Sequence, residues 1–443
     1  SAENEVLHQG VISGTGALTK EGAGELDLRG TNTYTGETSV AAGLLWVNSS
    51  IANSALTTVL DGATLGGVGT VGDLRIAKGG TLAPGNSIGT LTVNGDVTFD
   101  AGSTFRVEVD ETGKTDKLAA TGAIALDGEL YFVPTSGNYL PATDYDILTA
   151  GAGITGTFAS IGSSAAFLLP ELTYGPNGVS MRLERNTTAF ADITTTRNGR
   201  NVAGVVESFG IADSLYKGVV TLDAPTADLA LRQLSGEIYP SLAGALAEDS
   251  RFGRDAVGTH LRSLNKAAFA DASWQPWISA YGAHGTTETS GVADLARNSG
   301  GVFFGLDTLA APSTRLGFML GYGATNMSSD GYEASADADS LTLGLYGATA
   351  LDRLRLSYGS TVAFGKVDVS RDIRFGSLSQ DLSTDLDTTT WQVFGEAAYS
   401  FELSHGTIEP FAGLAHVRVH SGSFDERGGS AALSGAGFDY DAT

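Results

Sequence analysis

A chain of 443 residues is longer than one hydrophobic core usually serves, so two or three domains are expected. The absence of cysteine excludes disulfides, thiol nucleophiles and Cys-ligated zinc, and 60 glycines without a Gly-X-Y period predict many tight turns between short strands. A formal net charge of −24 argues against nucleic-acid binding, and no run of ~20 apolar residues encodes a transmembrane helix, although strands of ~9–11 residues could still cross a bilayer.

From Ser1 to about Arg185 the chain reads as strand and turn throughout. Leu18, Leu26 and Leu28 stand at strand parity between glycine corners, and Thr38–Val47 continues the pattern. Such strands stack as rungs of a parallel β-helix or pair as a sandwich; the closely spaced corners favour the β-helix. Three local patterns invite a chemical reading. Gly67-Val68-Gly69-Thr70-Val71-Gly72 fits the dinucleotide-binding spacing, yet no helix pattern follows to hold a pyrophosphate. Gly85-Asn86-Ser87-Ile88-Gly89 fits the nucleophile elbow, which requires a strand before the serine and a helix after it. Here Leu91, Val93, Val97 and Phe99 alternate like a strand. Asp110, Glu111 and Asp116 could touch calcium but lack the spacing of a binding loop.

From Phe190 to about Leu264 the period becomes helical. Val202, Val205, Val206 and Phe209 form one stripe, and Leu229, Leu231 and Leu234 another, after Pro225. The longest runs through Ile238, Leu242, Ala245, Leu246, Phe252, Ala256, Val257, Leu261 and Leu264. If continuous it is a rod of roughly 40 Å; Gly244, Gly253 and Gly258 leave two helices as the alternative. Its opposite face carries Glu248, Asp249, Arg251, Arg254, Asp255, His260 and Arg262, so it belongs in water, against protein or inside a polar pore.

From Trp274 strands return, longer and richer in aromatics. Leu316, Phe318, Leu320 and Tyr322 alternate with Gly317, Met319, Gly321 and Gly323; Leu341, Leu343 and Leu345 repeat the pattern, as do Trp391, Val393, Ala397, Tyr399 and Phe401. Pro312-Ser313 and Leu351-Asp352-Arg353 read as short turns, while Ser328–Asp339 and Gly376–Leu386 read as long polar loops. An outer-membrane barrel has these features, and a soluble barrel shares the alternation. His416 and His420 share a strand face roughly 13 Å apart, too far for one metal ion.

Three stretches in this order resemble the autotransporters, the type V secreted proteins of Gram-negative bacteria. Gly22–Leu26 through Asn32–Gly36 to Ala42–Leu45 is similar to the family's passenger strand repeat, and Leu82–Leu91 to the motif near the passenger's C-terminal end. Leu231–Ile238, then Trp277–Gly282, resembles the helical approach and first strand of the translocator. The resemblance implies a right-handed parallel β-helix passenger over 1–70 and an autochaperone-like passenger end over 71–189. A short helical linker over 190–270 and an antiparallel transmembrane barrel over 271–443 would follow, mostly β overall. It also implies that Ser87 is a turn serine, so no catalytic, cofactor-binding or metal-binding residue is expected.

The implied role is a barrel that inserts in the outer membrane and exports and displays its own passenger, folding of the β-helix outside driving export. A surface adhesin whose β-helix binds a host or cell-surface ligand is the alternative, and a secreted serine hydrolase a third. The implied partners are outer-membrane lipid, periplasmic chaperones and the barrel assembly machinery. The core expected for the passenger end is Phe105, Val107, Val109, Leu118, Ile124, Leu126, Leu130, Phe132, Ile147, Leu148 and Phe158. The family's barrel has twelve strands and an aromatic end; about eight are read before Thr443, so the reading expects a fragment truncated at both ends.

Overall fold

Short strands between glycine corners stack in parallel through the first third of the chain, in a computed structural model that describes residues 5–110, 112–134, 143–287, 294–403 and 405–443. The chain divides into two units, residues 1–194, 203–228 and 375–378 forming the first. In that unit each turn of the coil supplies one strand to each of three sheets. Ala63–Gly67, Thr70–Val71 and Leu74–Ile76 make one turn; Thr81–Pro84, Thr90–Val93 and Val97–Phe99 make the next. The coil is a parallel β-helix.

Its core follows from the register. Leu26, Leu45, Leu65, Leu82, Phe105 and Leu130 stand directly above one another on successive rungs. Strand parity turns each of them inward, and from Leu45 to Leu130 each is fully buried. All eleven residues expected in the core of the passenger end are buried, with the rings of Phe99, Phe105 and Phe158 within 5.6–6.0 Å of one another. The parallel coil stops where Gly178–Arg185 pairs antiparallel with Asp144–Ala150 and with Leu168–Tyr174. This hairpin supplies the last sheet with partners for its backbone groups and buries Val179, Met181 and Leu183.

The sequence around Ser87 is a staple between rungs. Residues 85–89 form a turn between two strands, no helix follows, and Ser87 is exposed. Gly85 has φ +89°, and a Cβ there would meet the Ser87 carbonyl oxygen at 1.8 Å. The Asn86 amide donates to Asn48 Oδ1 at 2.8 Å, and the Gly89 N–H donates to Asp116 Oδ1 at 2.9 Å. The other Asp116 oxygen accepts the Glu108 N–H at 2.9 Å. Asp110 is occupied within its own turn by the Thr112 and Lys114 N–H groups. Both aspartates therefore serve backbone donors; Glu111 lies outside the described residues. Gly67–Gly72 likewise joins two strands without a helix.

Burial pushes the Asp116 carboxyl up to about 7, against the two N–H donors and with the Glu108 carboxylate nearby, while Arg106 opposes the rise. A carboxyl raised in the folded state takes up its proton there first, so this group adds stability as pH falls from about 7 towards about 4. The gain is on the order of 2–4 kcal/mol. Asp116→Asn should remove that increment, and urea midpoints of the first unit at pH 5 and pH 8 check it. An equal pH dependence in both proteins would refute the assignment.

The second unit comprises residues 195–202, 229–374 and 379–443. Its antiparallel sheet has eight strands in the order Gln275–Thr287, Leu295–Ala311, Thr314–Ser329, Ala334–Leu351, Leu354–Phe375, Leu378–Tyr399, Phe411–Ser421 and Asp439–Ala442. Among the described residues its first and last strands are not paired with each other. Leu316, Phe318, Leu320, Tyr322, Leu341, Leu343 and Leu345 are all exposed, in phase on the outer face. The inner face is built of small residues set opposite large ones. A Cβ on Gly321 would lie 2.2 Å from the Phe303 ring, and one on Gly317 2.5 Å from the Tyr346 ring.

Two expectations are corrected. The polar stretches Ser328–Asp339 and Gly376–Leu386 are not long loops but strand, with turns only at 330–333 and 376–377. Polar composition obscured an intact period of two: Ala334, Ala336 and Ala338 turn inward while Asp337 and Asp339 face out. The two strands of 22 residues greatly exceed the ~9–11 needed to cross a bilayer. In the helix Arg197–Phe209, Val205 and Phe209 are 54% and 48% exposed, and the buried positions are Gly199, Ala203 and Val206. Helical spacing was right there, but the buried face is rotated.

Candidate functional site

The apolar stripe from Ile238 to Leu264 folds as two helices, Ile238–Asp249 and Arg251–Ser263, joined at Ser250 with φ −57° and ψ −23°, so the axis is hardly interrupted. Both lie on the inner face of the strand sheet. Ile238, Leu242 and Ala245 pack on Met327, Ala334, Ala336, Ala338, Val367 and Val369. Ala256, Val257 and Leu261 pack on Phe303, Met319, Tyr346 and Phe394. Ser328–Asp339, first read as a loop, thus supplies three of the six residues named under the first helix.

The charged face of the helices is paired with inward-pointing polar residues. Asp249 Oδ2 accepts hydrogen bonds from Ser299 Oγ and Thr325 Oγ1, both at 2.8 Å. Gln392 Nε2 donates to Ser250 Oγ at 2.8 Å, and Arg262 pairs with Glu396 at 2.8 Å. His260 Nε2 lies 2.6 Å from Asp307 Oδ2, its ring stacked on Trp277. Arg315 Nε at 2.6 Å and the Tyr346 hydroxyl at 2.8 Å also donate to Asp307. The carboxylate–imidazole pair ties the helix Arg251–Ser263 to the strand Leu295–Ala311.

Four strand arginines were missed from the sequence: Arg297, Arg315, Arg355 and Arg371. Arg371 bonds Glu426 at 2.7 and 2.8 Å, while Tyr239 donates to the same carboxylate at 2.6 Å. Arg297 pairs with Glu248 at 2.8 Å, and Arg355 pairs with Glu409. The available signal was parity, because Arg315 is in phase with inward Gly317, Met319 and Gly321. Ser87 is brought to no acid or base by any described contact. His416 and His420 face different partners, Asp441 at 3.8 Å and Asp439 at 2.9 Å.

Comparison with known proteins places these features. Residues 276–443 match the family described as Autotransporter beta-domain, and residues 18–47 match Passenger-associated-transport-repeat. Two proteins called Extracellular serine protease, both from Serratia marcescens, are 32% and 29% identical across 96% of this chain and 46% of their own length. Adhesin BmaC autotransporter of Brucella suis biovar 1 is 46% identical over 17% of this chain and 2% of its own. The translocator domain of autotransporter NalP from Neisseria meningitidis aligns with a TM-score of 0.37 at 17% identity, covering 44% of this chain and 68% of that one. The chain spans a little under half the length of the Serratia relatives.

Proposed function

We propose, on the premise that this chain belongs to the autotransporter family, that its barrel segment sits in the outer membrane and exports and displays the β-helix attached to it. The observation that carries this reading is the sheet with two unlike faces. Its outer face carries an apolar band that includes Leu316, Phe318, Leu320, Leu341, Leu343 and Leu345, and its inner face holds a helix whose charges lipid would reject. Export then needs no nucleotide. Each rung that forms outside buries side chains such as Leu82 or Phe105, worth roughly 1.5–3 kcal/mol apiece, which disfavours return.

Residues 71–189 act in this reading as the autochaperone-like end from which folding spreads, because they hold the Phe99–Phe105–Phe158 cluster and the closing hairpin. Insertion would use the periplasmic chaperones and barrel assembly machinery common to such barrels. The segment is not itself an enzyme: Ser87 has the surroundings of a turn residue, and any catalytic activity akin to that named for the Serratia proteins would reside elsewhere. The match to an adhesin favours a second reading, in which the β-helix surface binds a host or cell-surface ligand.

One variant tests both parts. In the cysteine-free chain, Ser87→Cys should react with a membrane-impermeant maleimide on intact cells, and the modified protein should hydrolyse esters and peptides no less than the unmodified one. Labelling only after lysis would overturn display. Loss of turnover on modification would restore the hydrolase reading.

A further inference from the structure

Every α-helix leaves its last carbonyls without an intrahelical donor and concentrates partial negative charge there. Three helices in this chain end in that way, Ala224–Gln233, Arg251–Ser263 and Lys266–Ala270, whereas Ile238–Asp249 runs on through Ser250. In the last turn of each of the three, and within Ile238–Asp249 one residue before its last turn, a carbonyl accepts a hydrogen bond from a strand arginine. Arg371 donates to Gln233 O at 2.8 Å and Arg297 to Ala245 O at 3.1 Å. Arg355 donates to Leu261 O at 3.0 Å, and Arg315 to Ala268 O and Phe269 O at 3.1 and 3.2 Å. Every one of the four also holds a carboxylate: Glu426, Glu248, Glu409 and Asp307 respectively.

We propose that these four arginines are binding forks for the helices, three of them at helix C-termini and Arg297 beside the junction at Ser250, which set the axial register of the helical segment on the inner face of the sheet. The apolar contacts alone do not fix that register. Small residues such as Ala334, Ala336, Ala338 and Ala348 offer similar seats to a helix moved by one turn, about 5.4 Å. A planar guanidinium does discriminate, because it reaches a carboxylate and a carbonyl together only when the helix end lies beside it.

The proposal rests on the placement of the helices inside the barrel and not on export itself, so failure of surface labelling would leave it standing. Its test is cross-linking in the otherwise cysteine-free chain, folded in detergent as the full-length protein. The pair Ser250→Cys and Gln392→Cys, joined by a short bifunctional thiol reagent, reports the observed register. The pair Arg254→Cys and Gln392→Cys reports a shift of one turn. With native arginines only the first pair should link. With Arg297→Met and Arg355→Met together, the first product should be lost and the second should appear. Arg297→Lys with Arg355→Lys should behave likewise, because an ammonium is a point charge without the fork. If the double variant does not fold, Arg355→Met alone is read in the same way. An unchanged first product in the Met variants would overturn the proposal, and a native pattern in the Lys variants would show that charge alone holds the helix.

Discussion

Phe132→Asp should leave the barrel inserted but make the β-helix outside the cell sensitive to protease. Phe132 is fully buried on the strand Glu129–Pro134, paired with Val107 below it and Ser163 above it. Truncation of a buried Phe to Ala typically costs ~3–5 kcal/mol, and a carboxylate in its place adds the cost of an unpaired buried charge. A parallel coil transmits that loss, since each rung's backbone is paired to its neighbours and a broken rung exposes two sheet edges. Limited proteolysis of intact cells, beside heat-modifiability of the barrel, measures both halves of the outcome. Resistance equal to wild type would show that residues 71–189 are not the folding nucleus.

Arg315→Met is the second large effect, and it falls on the other unit. Arg315 and Asp307 are both fully buried, and the guanidinium also bonds the carbonyls of Ala268, Phe269 and Asp271. Removing it leaves a buried carboxylate with only His260 and Tyr346, and the carbonyls at one helix end unserved. Breaking one side of such a pair costs about 3–5 kcal/mol, whereas removing both members costs far less. Arg315→Met should therefore lower the temperature at which the folded barrel loses heat-modifiability, and Asp307→Leu added to it should recover part of the loss. A double variant no better than the single would mean that the carbonyl bonds dominate.

Much of this architecture was legible because period and parity survive in the sequence. The coil was readable from leucines between glycine corners, and the register confirms it in the column Leu45, Leu65, Leu82, Phe105, Leu130. The outer face was readable from Leu316 to Tyr322, and the helix from its stripe and opposite charges. Three features were not. Polar composition was weighed above alternation in Ser328–Asp339, although its alanines kept step with the strand. Between Val202 and Phe209 both possible faces carry apolar residues, so spacing fixed a helix without fixing its orientation. The arginine forks were hidden because their partners lie 8 to 138 residues away, and only the fold brings them together. The pattern around Ser87 is the opposite case, a local match to a catalytic motif that its flanking strands contradict.

If the helices occupy the interior of a membrane-spanning barrel, their removal should open it. Planar-bilayer recording of the full-length protein that carries this segment, with and without Asp249–Leu264, tests this most directly. With Arg262 held by Glu396 and Asp249 by Ser299 and Thr325, the helix obstructs the path along the inner face. Deletion should raise single-channel conductance in barrels that remain heat-modifiable. Unchanged conductance in such barrels would contradict the account and place the helix outside the pore.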